Sequence, residues 1–387
     1  MLSQFHSPRI LFGWDSLSEI SKIAARRAAL VTDKTMQELG IVAQIQERFW
    51  RAGAELRVAG YVNREPYVND VEPLIEALHA DSPDAIVALG GGSVMDAAKT
   101  AWAFYENPAL TWETAFVVNG ISRRQGRAQF IAIPTTSGTG SEVSPVAVLI
   151  DSATRLKRLV ISPHLVPTLA ILDPSLTLTM PNTLTAHAAF DALTHAVEAL
   201  VTGVTNEFAR ANALHALRLI FEDLPDAYAN AARTAREKLH LAATMASLAI
   251  SNSFAGLAHG MDQVGPLFHL PHGLVCAVLL PYTMAFNLDA AREAYAEMGA
   301  AIGIAAVGTA ADSTERARRF LRRVVELQAR VSLPGSFQQA GVAERDYFAA
   351  MDTLVSAALA SRSTQLSPRV PTAAEARSIF ENAYWGR

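Results

Sequence analysis

The chain has 387 residues, half of them hydrophobic and only 18% charged, which supplies a large buried core and exceeds what one core usually takes. A formal net charge of -4 gives no electrostatic reason to expect nucleic acid or an anionic membrane as partner. Cys276 is the only cysteine, so an intrachain disulfide is excluded and a reducing compartment fits.

The opening residues, Met1 to Ile10, lack the cationic head and apolar core of a secretory signal, and no stretch runs long enough without polar residues to span a bilayer. A cytoplasmic protein is expected. Arg27–Asp33 reads as a strand, Met36–Ala52 as a helix, and Ala85–Leu89 as a second buried strand leading into a helix from Val94. Runs at Gln129–Ile133, Ala147–Ile150 and Leu169–Leu172 continue the series. This alternation predicts an α/β fold, with a largely parallel sheet covered by helices. From Pro181 the texture changes to long Ala- and Leu-rich helical patterns, among them Phe208–Phe221 and Lys238–Ser251, with no comparable strand series. The prolines between Pro174 and Pro181 interrupt both patterns. They set a boundary between an α/β domain over 1–180 and an all-α domain over 181–387.

Gly90, Gly91, Gly92 and Ser93 follow the strand ending at Leu89 and open a helix. Glycines at such a turn let backbone amides face a phosphate, and the helix N-terminus adds partial positive charge; a plain tight turn is the other reading. The run does not match the GxGxxG dinucleotide fingerprint. A second loop, Pro134–Glu142, is rich in hydroxyls and glycines and also follows a buried strand. Ligands of open α/β sheets gather at the carboxyl ends of strands, where both loops would lie. Asp33 closes the first strand. It can accept hydrogen bonds from ribose hydroxyls and repel a ribose phosphate, or cap the next helix, and the two roles are compatible.

In the second half, Asp191 and His195 are spaced i, i+4 in the apolar run Ala188–Leu200, so a helix would place both on one face, close enough to share an ion. That spacing also suits an ordinary surface hydrogen bond. A helix this apolar is expected to be buried, however, where Asp and His need partners and a cation is an efficient one. His259 lies in Gly256–Gly260 and His272 in Leu270–Gly273, beside glycines that let backbone or ligand approach closely. One carboxylate and three imidazoles suit Fe2+ or Zn2+ and leave a position for a substrate oxygen. Cys276, in the apolar run Gly273–Leu280, reads as a small core residue.

These segments resemble the iron-containing, or group III, alcohol dehydrogenases. The resemblance is carried by Gly90–Lys99, Pro134–Val143, Thr185–Glu198, Gly256–Met261 and Leu270–Gly273, and is weakest after about Asn287. It implies a dinucleotide-binding N-terminal domain with a parallel sheet and a helical C-terminal domain, the architecture shared with dehydroquinate synthase, together with a bound metal and a homodimer. By position it assigns metal binding to Asp191, His195, His259 and His272. It places the cofactor phosphates at Gly91, Gly92 and Ser93, with Asp96, Thr135, Thr136 and Lys157 nearby. Many members carry a further histidine four residues after the third metal ligand, thought to relay the alcohol proton. Gln263 stands there in this chain, and an amide does not exchange a proton as general acid or base. Asp262 and His269 are the substitutes its surroundings offer; otherwise water and ribose hydroxyls carry the proton.

The implied activity is reversible oxidation of a small alcohol, or reduction of an aldehyde or ketone, with a Lewis-acidic metal and a nicotinamide cofactor. Asp33 points to NAD(H) in preference to NADP(H). Two other functions share the pattern: a metal-dependent lyase or cyclase of the dehydroquinate-synthase type, which uses bound NAD without net turnover, and a non-catalytic nucleotide-binding protein. The intact set of four ligands argues against the last. Phe254 and Phe268 are candidates to line the substrate pocket or, equally, to fill the core.

Overall fold

Short runs of Val, Ile, Ala and Leu, apolar on both faces, suit strands buried from both sides. The computed structural model, which describes residues 4–305 and 312–387, has eight strands: β1 (Arg9–Phe12), β2 (Arg27–Thr32), β3 (Glu55–Tyr61), β4 (Ala85–Gly90), β5 (Gln129–Pro134), β6 (Val146–Ile150), β7 (Lys157–Ile161) and β8 (Leu169–Leu172). Six form one sheet in the order β1-β8-β5-β4-β2-β3, with every pair parallel. Between its strands run α1 (Lys34–Glu38), α2 (Ile41–Arg51), α3 (Val68–Asp81), α4 (Gly92–Glu106) and α5 (Trp112–Ala115). The period-2 alternation of strand side chains divides the core in two. Ala29, Val31, Ile86, Ala88, Phe130 and Ala132 belong to one cluster, with Val71 and Leu74 of α3 and Met95 and Trp102 of α4. Their strand neighbours Ala28, Leu30, Val87, Leu89, Ile131 and Ile133 belong to the other, with Ile45 and Phe49 of α2.

Two expectations are corrected here. Met36–Ala52 is not one helix, because Gly40 takes φ +73 between α1 and α2, a left-handed conformation that ends the first and starts the second. Ala147–Ile150 is a strand but lies outside the parallel sheet: β6 pairs antiparallel with β7, Val146 opposite Ile161 and Ile150 opposite Lys157. The six residues between β6 and β7 are too few for a parallel crossover. This hairpin is tied to α4 by buried charge. Lys99 is fully buried and donates to the carbonyls of Ser141 at 3.0 Å, Ser144 at 3.3 Å and Val146. Asp96, 3.6 Å from Lys99, accepts from Ser141 Oγ at 2.5 Å and Val148 N–H at 2.9 Å.

The chain divides into two compact units, the second beginning at Met180. It is helical throughout its described residues: α6 (Asn182–Val201), α7 (Glu207–Asn230), α8 (Arg233–Ser251), α9 (Leu257–Gly260), α10 (Val264–Phe268), α11 (His272–Asn287), α12 (Arg292–Ala301), α13 (Asp312–Arg330), α14 (Glu344–Ala349), α15 (Met351–Ala360), α16 (Arg362–Gln365) and α17 (Ala373–Trp385). Alanines of α6, α7 and α8, such as Ala192, Ala196, Ala213, Ala216, Ala242 and Ala246, are buried in one cluster, and side chains this small let helix axes approach closely. α11 is apolar on all sides and buried from Leu274 to Pro281. Pro281 removes the N–H that the Ala277 carbonyl would have received, and Gln328 Nε2 donates to that carbonyl instead, at 3.0 Å. Among the described residues, no helix is long and apolar enough to cross a membrane.

Candidate metal centre and cofactor loops

α6 has almost no solvent face: from Thr185 to Leu200 every residue except His187 is buried. Asp191 and His195, one turn apart, are therefore 2% and 8% exposed. Asp191 Oδ1 lies 3.6 Å from His195 Nε2, 3.7 Å from His259 Nε2 and 3.3 Å from His272 Nε2. None of the three meets it in hydrogen-bonding geometry, and Oδ1 is a buried oxygen without a hydrogen-bond partner, as is His195 Nδ1. Burial alone would raise the Asp191 carboxyl, but the imidazoles, His195 and His272 foremost, hold it well below its usual range. Burial pushes His195 down to about 4, so its ring is neutral near pH 7 with a lone pair to offer. Burial opposes protonation of His259 too, yet Cys276, Glu198 and Asp191 raise it well above its ordinary value. Groups that together favour an imidazolium also favour a cation at their centre.

Two carboxylates aim the outer histidines. Glu198 lies on α6 one turn beyond His195, and its Oε2 is 2.6 Å from His259 Nδ1. The same carboxylate accepts from Gly256 N–H at 2.8 Å and Ala258 N–H at 2.6 Å, which fixes the segment entering α9. Asp262, buried, places Oδ2 3.3 Å from His272 Nδ1. A carboxylate at Nδ1 holds a proton there and turns Nε2 towards Asp191, the usual outer partner of a metal-binding histidine. The glycines beside the histidines admit protein atoms. A Cβ on Gly256 would lie 3.1 Å from Glu198, one on Gly260 2.2 Å from Thr364 Oγ1, and one on Gly273 2.2 Å from the His187 carbonyl.

Asp191, His259 and His272 bring ligand atoms within 4.8 Å of one another, together with Cys276 and without His195, whose Nε2 lies 3.6 Å from Asp191 Oδ1; the orphaned Asp191 oxygen fits a dication there. Two further residues stand beside them that no motif marks. Glu198 is i+7 from Asp191 and so on the same helical face. Cys276 is i+4 from His272 on α11, with Sγ beside that ring, 3.6 Å from Nε2 and 3.8 Å from Nδ1, and 3.9 Å from His259 Nε2. It is buried, as a core residue would be, but it faces ring nitrogens. Burial would raise the thiol, and His272 and His259 hold it below its ordinary value instead. Gln263 N-caps α10, and the exposed His269 closes that helix in a left-handed conformation at φ 57. Phe268 stacks on Tyr347 with ring centroids 5.8 Å apart, and the Arg362 guanidinium lies 5.3 Å from the Phe254 ring.

In the first unit, the chain leaves β2 towards β3 and leaves β4 in the opposite direction towards β5, so the strand order reverses between β2 and β4. Asp33 and Gly90–Gly92 stand at that point. A Cβ on Gly90 would lie 3.1 Å from Asp33 Oδ2, one on Gly91 3.4 Å from Thr136, and one on Gly92 2.7 Å from Thr139. None of these glycines has a positive φ, so close approach is what requires them. The N-cap of α4 is Gly91, which makes no side-chain cap and leaves the first-turn amides, Ser93 among them, for an anion. Asp33 accepts from Met36 N–H at 2.9 Å as the cap of α1, and burial raises its carboxyl despite that bond. Thr135 is buried and donates its N–H to the Gly90 carbonyl at 3.1 Å. Asp96 spends both oxygens on the second loop and β6, and Lys157 starts β7 opposite Ile150.

The sequence profile of the family described as iron-containing alcohol dehydrogenase matches residues 7–174, and that of the C-terminal part of the Fe-containing alcohol dehydrogenase family matches 185–384. The chain belongs to this family. This iron-containing alcohol dehydrogenase homologue is 36% identical over 398 residues to the bifunctional aldehyde-alcohol dehydrogenase of Escherichia coli (strain K12), a match covering 96% of this chain and 44% of that protein. It therefore spans less than half the length of that relative. It is 33% identical to the NADPH-dependent butanol dehydrogenase of Clostridium saccharobutylicum, covering 100% of this chain and 99% of that one. A solved structure of an iron-containing alcohol dehydrogenase from Thermococcus thioreducens matches with a TM-score of 0.90 at 30% identity, over 100% of both chains. The family brings with it a metal and a nicotinamide cofactor.

If Glu198 aims His259, Glu198→Gln should weaken metal binding by about 10- to 100-fold while the protein stays folded. Competition with a chromogenic chelator measures this; unchanged affinity would sink the role.

Proposed function

We propose that the chain is a metal-dependent oxidoreductase that interconverts a small alcohol and its aldehyde or ketone with a nicotinamide cofactor. One observation carries the reading: a buried carboxylate oxygen without a hydrogen-bond partner, faced by the Nε2 atoms of three histidines. When bound there, a dication such as Fe2+ or Zn2+ supplies Lewis acidity towards an alcohol oxygen. Asp191, His195, His259 and His272 hold it. Glu198 and Asp262 are positioning residues that keep two of the rings turned inwards. In the first unit, the uncapped start of α4 and the glycines Gly91 and Gly92, with Ser93, Thr135 and Thr136, would receive the cofactor phosphates. A homodimer is the assembly we expect.

Replacing Asp191 or His272 with Ala should abolish metal content, by elemental analysis, and aldehyde-dependent NADH oxidation together. Full turnover of a metal-free preparation would overturn the reading.

Asp33 stands where a ribose phosphate would be repelled, so we propose that NAD(H) is preferred over NADP(H). The butanol dehydrogenase relative is named for NADPH, which makes the comparison decisive for this chain. Asp33→Gly costs the α1 cap only a few tenths of a kcal/mol. It should narrow the preference by about tenfold for each 1.4 kcal/mol of repulsion removed. A wild-type kcat/KM higher with NADPH than with NADH would contradict this.

The proton path is proposed to run through water and ribose hydroxyls. Gln263 has no proton to exchange, Asp262 lies against His272, and His269 is exposed. Gln263→Ala is expected to keep much of the turnover. If His269→Ala retains its metal yet loses several orders of magnitude in kcat across the pH range, His269 is the relay and the water path is wrong.

A further inference from the structure

Lys99 is a fully buried cation that takes no part in the chemistry derived above. Its ammonium directs N–H bonds at the carbonyls of Ser141, at 3.0 Å, Ser144, at 3.3 Å, and Val146, and lies 3.6 Å from Asp96. Asp96, one turn nearer the start of α4, accepts from Ser141 Oγ at 2.5 Å and from Val148 N–H at 2.9 Å. The helix whose N-terminus would receive the phosphates thus also holds the loop opposite, through an i, i+3 pair. The resemblance sets Asp96 near the cofactor phosphates. Both of its oxygens are taken by backbone and hydroxyl donors, and a carboxylate against phosphate would repel it, so its place is behind the loop. From Pro134 to Glu142, only Thr136 and Thr139 are not buried. They are also the two that face the glycines, since a Cβ on Gly91 would lie 3.4 Å from Thr136 and one on Gly92 2.7 Å from Thr139. Ser141 N–H donates to Thr139 Oγ1 at 3.4 Å, which joins the residue gripped by Lys99 and Asp96 to one that lines the gap.

We propose that Lys99 is a positioning residue of the cofactor site: by gripping the backbone from Ser141 to Val146, it sets the gap between the two threonines and the glycines at the width a pyrophosphate needs. The inference rests on the cofactor reading given above and goes beyond it, because a buried ammonium acts on the ligand only through the loop. Without the lysine, three carbonyls lose their donor, and Asp96 and the buried Glu142 lose the cation they share. The loop is then released, and uncompensated negative charge is left behind the phosphate site.

Full-length Lys99→Met keeps an unbranched side chain and removes the charge. It is titrated by fluorescence with NADH or NADPH, whichever the wild type binds more tightly. The dissociation constant and KM for that cofactor should rise by about tenfold or more, while kcat at saturating cofactor stays within about threefold of wild type. Metal content by elemental analysis should be unchanged. Affinity for adenosine, which has no phosphate, should change by less than about threefold. A lysine that only supports the fold would lower thermal stability and leave the cofactor constants where they are. Asp96→Asn should weaken cofactor binding less in the Lys99→Met background than alone, because both residues act on one loop. An unchanged dissociation constant in Lys99→Met, or a fall in kcat with cofactor affinity intact, would overturn the role of Lys99 and leave the cofactor reading standing. A wild type that binds neither dinucleotide would overturn both. If Lys99→Met does not fold, Ser141→Ala decides, since it removes only the hydroxyl held by Asp96. Cofactor binding weaker by about two- to tenfold is expected there, and unchanged binding would overturn the proposal.

Discussion

Asp191 carries its carboxylate into a helix that has almost no solvent face, where its Oδ1 is faced by three ring nitrogens at 3.3–3.7 Å and accepts no hydrogen bond. A charge in that position costs several kcal/mol unless opposite charge compensates it. Much of the second unit is arranged around that need. α6 supplies Asp191, His195 and Glu198 along one face. Glu198 then reaches the start of α9 and turns His259, and the close passage of Gly273 beside the His187 carbonyl brings the N-terminus of α11, and with it His272, against α6. The alanine-rich contacts of α6, α7 and α8 are the packing side of the same arrangement, since they bury the helix that carries the charge.

In the first unit the constraint is close approach of backbone and side chains at the ends of the strands. Its strand order reverses between β2 and β4, and a side chain at Gly90 would collide with Val94 of α4 and one at Gly92 with Thr139 of the loop after β5. The second loop is fixed from behind by a buried lysine and a carboxylate on α4, which together bind the backbone from Ser141 to Val148. Lys99 and Asp96 thus act on the loop that flanks the glycines. Desolvation lowers the Lys99 pKa, while the nearby Asp96 and Glu142 favour its charged form.

The gathering of Asp191 and His195 on one buried face was legible in the sequence because helical geometry converts an i, i+4 spacing into a shared face. Glu198 obeys the same geometry at i+7 but reads as one more acid at a helix end. Cys276 was hidden by its own hydrophobicity, since a thiol in a run of Leu, Val and Ala is indistinguishable from core until the neighbouring chain is in place. The break at Gly40 was missed because the apolar pattern continues across it. The antiparallel pairing of β6 was missed because periodicity identifies a strand without naming its partner. β1 and β3, partly exposed edge strands of the sheet, lack the buried runs that revealed β2, β4 and β5.

An ion held by the ligand set proposed around Asp191 would be part of the folded state. Any ligand that binds only the native form adds RT ln(1 + [L]/Kd) to its stability, about 4 kcal/mol at a thousandfold excess over Kd. For the helical unit, the concentration of free metal in its surroundings then becomes a folding variable, comparable in weight to temperature or denaturant. Scarcity of metal would shorten the lifetime of the chain, through the opening of α6 and α11 to proteases, as well as lower the fraction that is active.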